Sequence, residues 1–489
     1  MKEVRTRFAP SPTGYMHIGN LRTALYAYLF AKHNNGKFIL RIEDTDQKRY
    51  VEGATEVIYK TLKQTKLIHD EGPDIGGNDG PYVQSERKTL YKEYALQLVQ
   101  KGKAYYCFCS NHKDEESGEN EDQEEVKTYG YNRHCRNLSK EEIEKKLAEG
   151  KPYVIRQKMP ESGTTTFHDE VYGDITVDND SLDDQILLKS DGMPTYNFAN
   201  VVDDHLMGIT HIIRGKEYIS STPKYQLLYE AFGWETPKTI HLSTIMGQNA
   251  DGTVSKLSKR HGSVAFSNLL DEGYLSEAII NYIALLGWGT SLEQEVFSLD
   301  ELVKLFNVEG IVKTNAIFDY KKLDWFNAIY IGKMTHEEFV NYSMPYIKDL
   351  PNYLKEKWEF ASTLAQSRIS KFTDIVPMFK FLDEFNDFDL GLFENKKNKL
   401  DKAQSLEIIK DMLPVLNKNE DWSVENLSNI LQEYTTLKEY KIGKTMWPIR
   451  IAVTGQTITP GGGAEMLYLL GKEKSISRLN KAVERLSWL

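Results

Sequence analysis

Two short stretches of this 489-residue sequence carry side chains whose types and spacing suit phosphate chemistry. The first is Pro10-Ser11-Pro12-Thr13-Gly14-Tyr15-Met16-His17-Ile18-Gly19-Asn20. Its glycines bring backbone close to His17, and it opens a helical stretch whose unpaired N–H groups favour an anion. The second lies about 240 residues downstream: Lys256-Leu257-Ser258-Lys259-Arg260, three cations in a small-polar loop between Gly252 and Gly262. A His-Ile-Gly run alone, or a basic loop alone, has little specificity. Two further groups carry chemistry: the carboxylates Glu43, Asp44 and Asp46, and the thiols Cys107, Cys109 and Cys135.

Elements must position these groups. The run Val4–Ala9 predicts a strand, the PSPTG turn follows, and Leu21, Leu25, Tyr28 and Leu29 recur at helical spacing until Gly36 provides a stop. A second strand, Phe38–Ile42, runs directly into the acidic cluster, placing carboxylates just past a strand end, where open α/β sheets bind ligands. Helical patterns follow near 53–66 and 85–101. Between Cys107 and Gly150 the composition changes, predicting an insertion. Its centre, Asp114–Glu125, holds eight acids and no base, the signature of a solvated loop. Ser139 with Glu142 forms a capping box, Ile143 and Leu147 give that helix a core face, and Gly150 ends it. Strand-like runs at Tyr153–Lys158, Gln185–Lys189 and His211–Arg214 predict that the sheet begun at residue 4 is completed after the insertion. From about residue 270 the periodicity is helical, as in Leu275–Leu286, with a break at TITPGGGAE near 460.

Length and composition bound the rest. A chain of this size is expected to form about three domains. No run approaches the roughly 18–20 apolar residues of a membrane span, and the N-terminus lacks a secretory core. Three sparse cysteines fit a reducing compartment, so a cytoplasmic protein is expected. A net charge of −10 argues against broad affinity for nucleic acid, so bound RNA must meet local basic patches.

The paired motifs resemble the signature elements of class I aminoacyl-tRNA synthetases. FAPSPTGYMHIGN, LRIEDTD, GPYVQSER, LLKSDGMPTYNFANVVDDHLMG and VIRG follow in the order seen in bacterial-type glutamyl-tRNA synthetases. The resemblance covers essentially the whole chain. It departs from the general class pattern at Asn20, usually His, and Leu257, usually Met; Asn still donates to phosphate, and Leu for Met conserves volume. The resemblance implies an α/β, Rossmann-like parallel-sheet catalytic domain split by an α+β insertion, followed by all-α anticodon-binding domains. The divisions expected are 1–104, 105–190 (acceptor-stem binding), 191–325 and 326–489. It implies a monomer that joins L-glutamate to tRNA(Glu) through a glutamyl-adenylate, using ATP with Mg²⁺. By the same resemblance, Lys256, Lys259, His17 and Asn20 act on the phosphates, while Gly19, Glu217 and Tyr218 join His17 and Lys259 around ATP. Arg7 and Arg214 bind carboxylate, Glu43 binds the ammonium, and Ser11, Tyr196 and Asn200 complete the glutamate pocket. An Arg fork suits a carboxylate, and neutral glutamine would leave it unpaired. Arg368 is a candidate for the anticodon, and KIGKTMWPIR is a packed segment. The long C-terminal half speaks against the shorter paralogue that glutamylates a tRNA base.

Cys107 and Cys109 form a C-x-C pair, with Cys135 following after 25 residues. Zinc takes four ligands, preferably thiolate and imidazole. Some glutamyl enzymes look similar here, with Tyr or His as fourth ligand. Tyr131 keeps the Tyr-x-x-x-Cys spacing, whereas Asn137 stands where some relatives carry His. Two readings stand side by side: structural zinc on Cys107, Cys109, Tyr131 and Cys135, or ordinary buried thiols.

Overall fold

The structure is a computed structural model that describes residues 2–46, 49, 51–109, 131–262, 264–383 and 389–488. The acidic stretch Asp114–Glu125 lies outside the described residues. The chain divides into two compact units: Met1–Leu270 with Ser276–Tyr320, and Asp271–Leu275 with Lys321–Leu489.

In the first unit the order is β1 (Arg5–Phe8), α1 (Ile18–His33), β2 (Lys37–Leu40), α2 (Ala54–Gln64), α3 (Lys88–Gln100), β3 (Ala104–Cys107), α4 (Lys140–Ala148), β4 (Val154–Gln157), β5 (Thr164–Asp169), β6 (Gly173–Asp178), β7 (Ile186–Leu188), α5 (Tyr196–Leu206), β8 (His211–Gly215), α6 (Thr222–Phe232), β9 (Lys238–Leu242), β10 (Ile245–Gln248) and β11 (Val254–Lys256), followed by shorter helices and β12 (Ala316–Phe318). Helix α1 forms because Leu21, Leu25 and Leu29 stack on one face, all fully buried, while His17 caps its start. It returns the chain so that β2 lies parallel to β1, with Arg7 opposite Ile39 and Phe8 opposite Leu40. Bridges from Ile39 to Glu71 and from Ile42 to Val83 extend the parallel pairing outward.

On its other side β1 packs against β8, and the Thr210 N–H donates to the Arg5 carbonyl at 2.9 Å. Strand β8 runs parallel to β9, with Arg214 opposite His241; β5 joins β9 at Asp169, and β6 closes that edge antiparallel. The ends of β1, β2 and β8 thus bring Arg7, Glu43 and Arg214 to one edge of the sheet. Of the three strand runs expected to complete this sheet, only His211–Arg214 lies beside β1. Strands β4 and β7 pair antiparallel with β3 in a separate sheet. The reason lies in β3: its register, Ala104 opposite Gln157 through Cys107 opposite Val154, takes up one edge of β4, and β7 takes the other.

The Ser139–Glu142 capping box is present at α4, and no residue of that helix is fully buried. The second unit is helical. Ile408, Ile409, Met412 and Leu416 of helix Lys402–Lys418 pack with the Lys472–Ser487 helix, which buries Leu479, Ala482 and Leu486. KIGKTMWPIR caps and opens the helix Ile442–Thr454, with Lys441 as its cap residue, and that helix buries Ile449, Ile451 and Val453. Arg368 is exposed, and its guanidinium donates to the Leu364 carbonyl. Among the described residues no helix is long and apolar enough to cross a membrane.

Candidate active site

The two phosphate-type motifs, far apart in sequence, meet in the fold. His17 pairs with Ala265, the Ile18 N–H donates to the Val264 carbonyl (2.9 Å), and the Phe266 N–H to that of Met16 (3.0 Å). The basic loop therefore ends against the start of α1. His17 Nδ1 accepts the Gly19 N–H at 3.0 Å, which commits the imidazole proton to Nε2. Asn20 is exposed on the first turn. Across from it, β10 and β11 form a hairpin with Met246 opposite Lys256. Lys256 is exposed, while Leu257 turns inward, 5% exposed, and anchors the loop. Lys259 opens the turn Lys259–His261; its side chain lies outside the described set. His261 accepts the Ser258 N–H at Nδ1 (3.1 Å) and meets Asn249 Oδ1 through Nε2 (2.9 Å), tying loop to hairpin.

Below the motifs lies a buried charge network. Asp204 Oδ1 accepts from Arg7 Nε (3.0 Å) and Arg41 Nη1 (2.8 Å). Arg41, fully buried, also grips Glu43 Oε1 through Nε (3.1 Å) and Nη2 (2.8 Å). Neighbouring Asp203 accepts from Arg87, Gln84 and Tyr91, linking α3 to α5. Burial pushes the Glu43 carboxyl up to about 7, with Arg41 and Arg7 opposing the rise. Asp204 is held below the usual carboxylate range: burial pushes it up, but Arg7 and Arg41 outweigh that effect.

Tyr196, Asn200 and Asp204 recur every fourth residue and so share one face of α5. Burial, then the Glu43 charge, pushes the Tyr196 hydroxyl pKa well up, with Arg214 and Arg7 acting in the opposite sense. These four groups therefore lie within electrostatic reach of one another. Arg214 comes from β8, its guanidinium 4.7 Å from the Tyr225 ring centre and 5.4 Å from that of Tyr218. Several buried atoms here have no hydrogen-bond partner among the described residues: Glu43 Oε2, Asn200 Nδ2 and Arg214 Nη1, and also Asp204 Oδ2, Gln84 Oε1 and Tyr229 Oη. Native interiors leave few such atoms, each costing about 1–3 kcal/mol. Ser11 is half-buried in the turn after β1. Glu217 and Tyr218 occupy the turn Lys216–Ser220 beyond β8. The Glu217 carboxylate folds back over Gly215, where a Cβ would sit 2.2 Å from its oxygen and would turn that exposed side chain outward.

Arg41, Asp203, Asp204, His241 and Thr222 were not singled out from the sequence. The adjacent acids of NVVDDHLMG, unusual among apolar neighbours, were the available signal. Elsewhere, Cys107, Cys109 and Cys135 bring their sulfurs within 4.8 Å of one another, and the Tyr131 hydroxyl lies 3.0 Å from Cys107 Sγ. Burial and the Cys107 thiol push the Cys109 thiol up to about 12.

The sequence profile described as tRNA synthetases class I (E and Q), catalytic domain, matches residues 3–325, and one described as anticodon binding domain matches 337–483. A glutamate–tRNA ligase of Clostridium novyi (strain NT) is 53% identical, covering 99% of this chain and 98% of that protein. One from Clostridium kluyveri is 52% identical over 99% of each. Among solved structures, a glutamate tRNA ligase from Elizabethkingia meningosepticum, in complex with its amino acid, superposes with a TM-score of 0.84 at 37% identity, covering 99% of this chain and 100% of that one. With a catalytic-domain match over most of its length and relatives that span it end to end, the chain belongs to the class I tRNA synthetases of the E and Q type.

Proposed function

We propose that this chain is a glutamate–tRNA ligase, joining L-glutamate to the 3′ end of tRNA(Glu) in two steps through a glutamyl-adenylate, with ATP converted to AMP and pyrophosphate. The observation that carries this reading is the set of unsatisfied buried atoms around Arg7, Arg41 and Arg214, three of which match the charged groups of an amino acid. Glu43 Oε2 offers an acceptor to an ammonium, while Asn200 Nδ2 and Arg214 Nη1 offer donors to carboxylates. A zwitterion bearing a second carboxylate meets all three.

In the first step a glutamate carboxylate oxygen attacks the α-phosphorus of ATP and pyrophosphate departs. Charge grows on the phosphoryl oxygens, and fixed donors stabilise it. His17 Nε2–H and Asn20 stand at the start of α1, where helix N–H groups add to them, and Lys256 and Lys259 supply cations from the facing loop. Gly19, Glu217 and Tyr218 hold the nucleotide. ATP is taken with Mg²⁺, which neutralises phosphate charge. Arg7 and Arg214 hold carboxylate, with Ser11 and Tyr196 completing the pocket; glutamine leaves the guanidinium of Arg214 unpaired. The second step transfers the glutamyl group to the terminal ribose, for which residues 105–190 receive the acceptor stem and 326–489 the anticodon. The chain works as a cytoplasmic monomer, which light scattering tests.

Cys107, Cys109, Tyr131 and Cys135 fit a tetrahedral zinc site. Burial and its neighbours make the Cys109 thiol resist ionisation, and a divalent cation bound there would reverse that penalty. Zinc there would crosslink β3 to the residues before α4. Metal analysis of purified protein, before and after Cys135→Ala, tests it.

Exchange of labelled pyrophosphate into ATP, with glutamate or glutamine and with or without bulk tRNA, tests the function. Glutamate-dependent exchange that needs tRNA, with charged tRNA as product, is expected. No exchange under any condition would leave an RNA-binding protein without catalysis.

A further inference from the structure

Arg214 is held from behind by a chain of buried side chains. Its Nε–H donates to His241 Nε2 at 3.2 Å, across the β8–β9 register that sets the two residues opposite each other. His241 Nδ1–H donates to Asp169 Oδ2 at 2.7 Å, at the end of β5. Asp169 is itself immobilised: Oδ1 accepts the N–H groups of Val171 (3.0 Å) and Tyr172 (2.9 Å), and Oδ2 also accepts the His241 N–H (3.1 Å). Asp169 and His241 are both inaccessible to solvent. On the other side, Arg214 Nη2 donates to Thr222 Oγ1 at 2.8 Å, and the Thr222 hydroxyl proton goes to the Tyr218 carbonyl at 2.8 Å.

We propose that Asp169 and His241 are positioning residues for glutamate selection, fixing the imidazole tautomer that holds Arg214 with Nη1 turned to the substrate carboxylate. The inference rests on the functional reading above. A neutral imidazole carries one N–H and one lone pair. Asp169 accepts only, so it draws the proton to Nδ1 and leaves the Nε2 lone pair facing Arg214. The other tautomer would set N–H against N–H and strand a buried guanidinium donor. A protonated ring would do the same, and burial holds His241 down to about 4, so the ring stays neutral. Two of the three guanidinium nitrogens are thereby committed to protein, and the third is presented.

The chain matters because Arg214 has somewhere else to go. Beside it lies a cavity of about 610 Å³, lined by Arg214 itself and by Phe167, Thr222, Tyr225 and Tyr229. A guanidinium released from His241 can move into that space, so that Nη1 no longer holds one fixed position toward the substrate. Selection of glutamate over glutamine then weakens together with affinity.

The test compares His241→Leu with His241→Gln, whose amide oxygen can accept from Arg214 Nε, in steady-state charging of tRNA. Losing a hydrogen bond to a charged group is expected to raise the KM for glutamate roughly ten- to hundredfold in His241→Leu. The KM for ATP stays near wild type, kcat changes less than KM, and preference over glutamine falls. His241→Gln recovers most of both. Asp169→Asn, which presents an N–H to His241 Nδ1 and forces the wrong tautomer, gives the same signature if His241→Leu does not fold. An active wild type with unchanged glutamate KM in the folded variants overturns the inference alone, as do equal losses in kcat and in the KM for ATP with no rescue by Gln. A wild type inert toward glutamate overturns the functional reading itself.

Discussion

Burial raises the Glu43 carboxyl to about 7 even with Arg41 beside it, and with Glu43 as the proposed partner of the substrate ammonium we expect glutamate capture to be sensitive to pH near neutrality. The folded-state value lies above the ordinary carboxylate range. The charged form that meets an ammonium is therefore present above about 7 and lost as pH falls through it. The same shift means that the folded state holds this proton more tightly than the unfolded chain. Its contribution to stability is present at low pH and is lost as pH rises from about 4.5 to about 7. We expect kcat/KM for glutamate to fall about tenfold per pH unit below that point and to level off above it. Glu43→Gln should lower kcat/KM and flatten the profile; a wild-type profile flat from pH 5.5 to 8.5 would contradict the assignment. Asp204 tests the network differently. Asp204→Ala strands Arg7 in the interior and leaves Arg41 with Glu43 alone as its close carboxylate partner, and breaking such a buried pairing costs about 3–5 kcal/mol, readable as a lowered urea midpoint. Glu217→Ala, at an exposed position, should leave that midpoint nearly unchanged. Arg7, Glu43 and Arg214 entered as candidates because they stand in motifs that carry the family resemblance, and Glu43 also because it follows a strand end. Asp204 did not, since its partners Arg7 and Arg41 stand 197 and 163 residues away and nothing local announces them.

At the scale of elements, the β10–β11 hairpin positions the basic loop, and Gly247 is where it is most exposed to perturbation. A Cβ at Gly247 would lie 2.5 Å from the His261 ring, which ties the loop to Asn249 and Ser258. Gly247→Ala must push that ring aside and displace Lys256 and Lys259 with it. Small misplacement of catalytic groups costs on the order of a hundredfold in rate. We expect kcat for adenylate formation to drop by about that much while circular dichroism and the melting temperature stay close to wild type; an unchanged kcat would show that the loop does not depend on His261. Strand and helix positions followed from periodicity, as at β1, α1 and β2, because each element there buries a face of its own. Sheet membership did not. Strands β4 and β7 have the same local pattern as a parallel-sheet strand, and only the edge offered by β3 decides where they pair.

Charge is unevenly distributed over the whole chain. Residues 321–489 carry 24 Lys and Arg against 23 Asp and Glu, so the first 320 residues carry 37 against 48 and hold all of the net negative charge. Nonspecific affinity for nucleic acid comes from many cation–phosphate contacts, each releasing counterions and steepening the dependence on salt. A helical half close to neutral offers no such field. It must then recognise RNA through a few local contacts and through bases stacked on side chains, which are insensitive to salt. We expect binding of tRNA(Glu), followed by fluorescence anisotropy between 50 and 300 mM salt, to give a log–log slope shallower than about −4, the value for four to five neutralised phosphates. Duplex DNA of similar length should bind far more weakly throughout. A slope near −10 would mean that a dense basic track forms despite the balanced composition, and RNA recognition would then be mainly electrostatic.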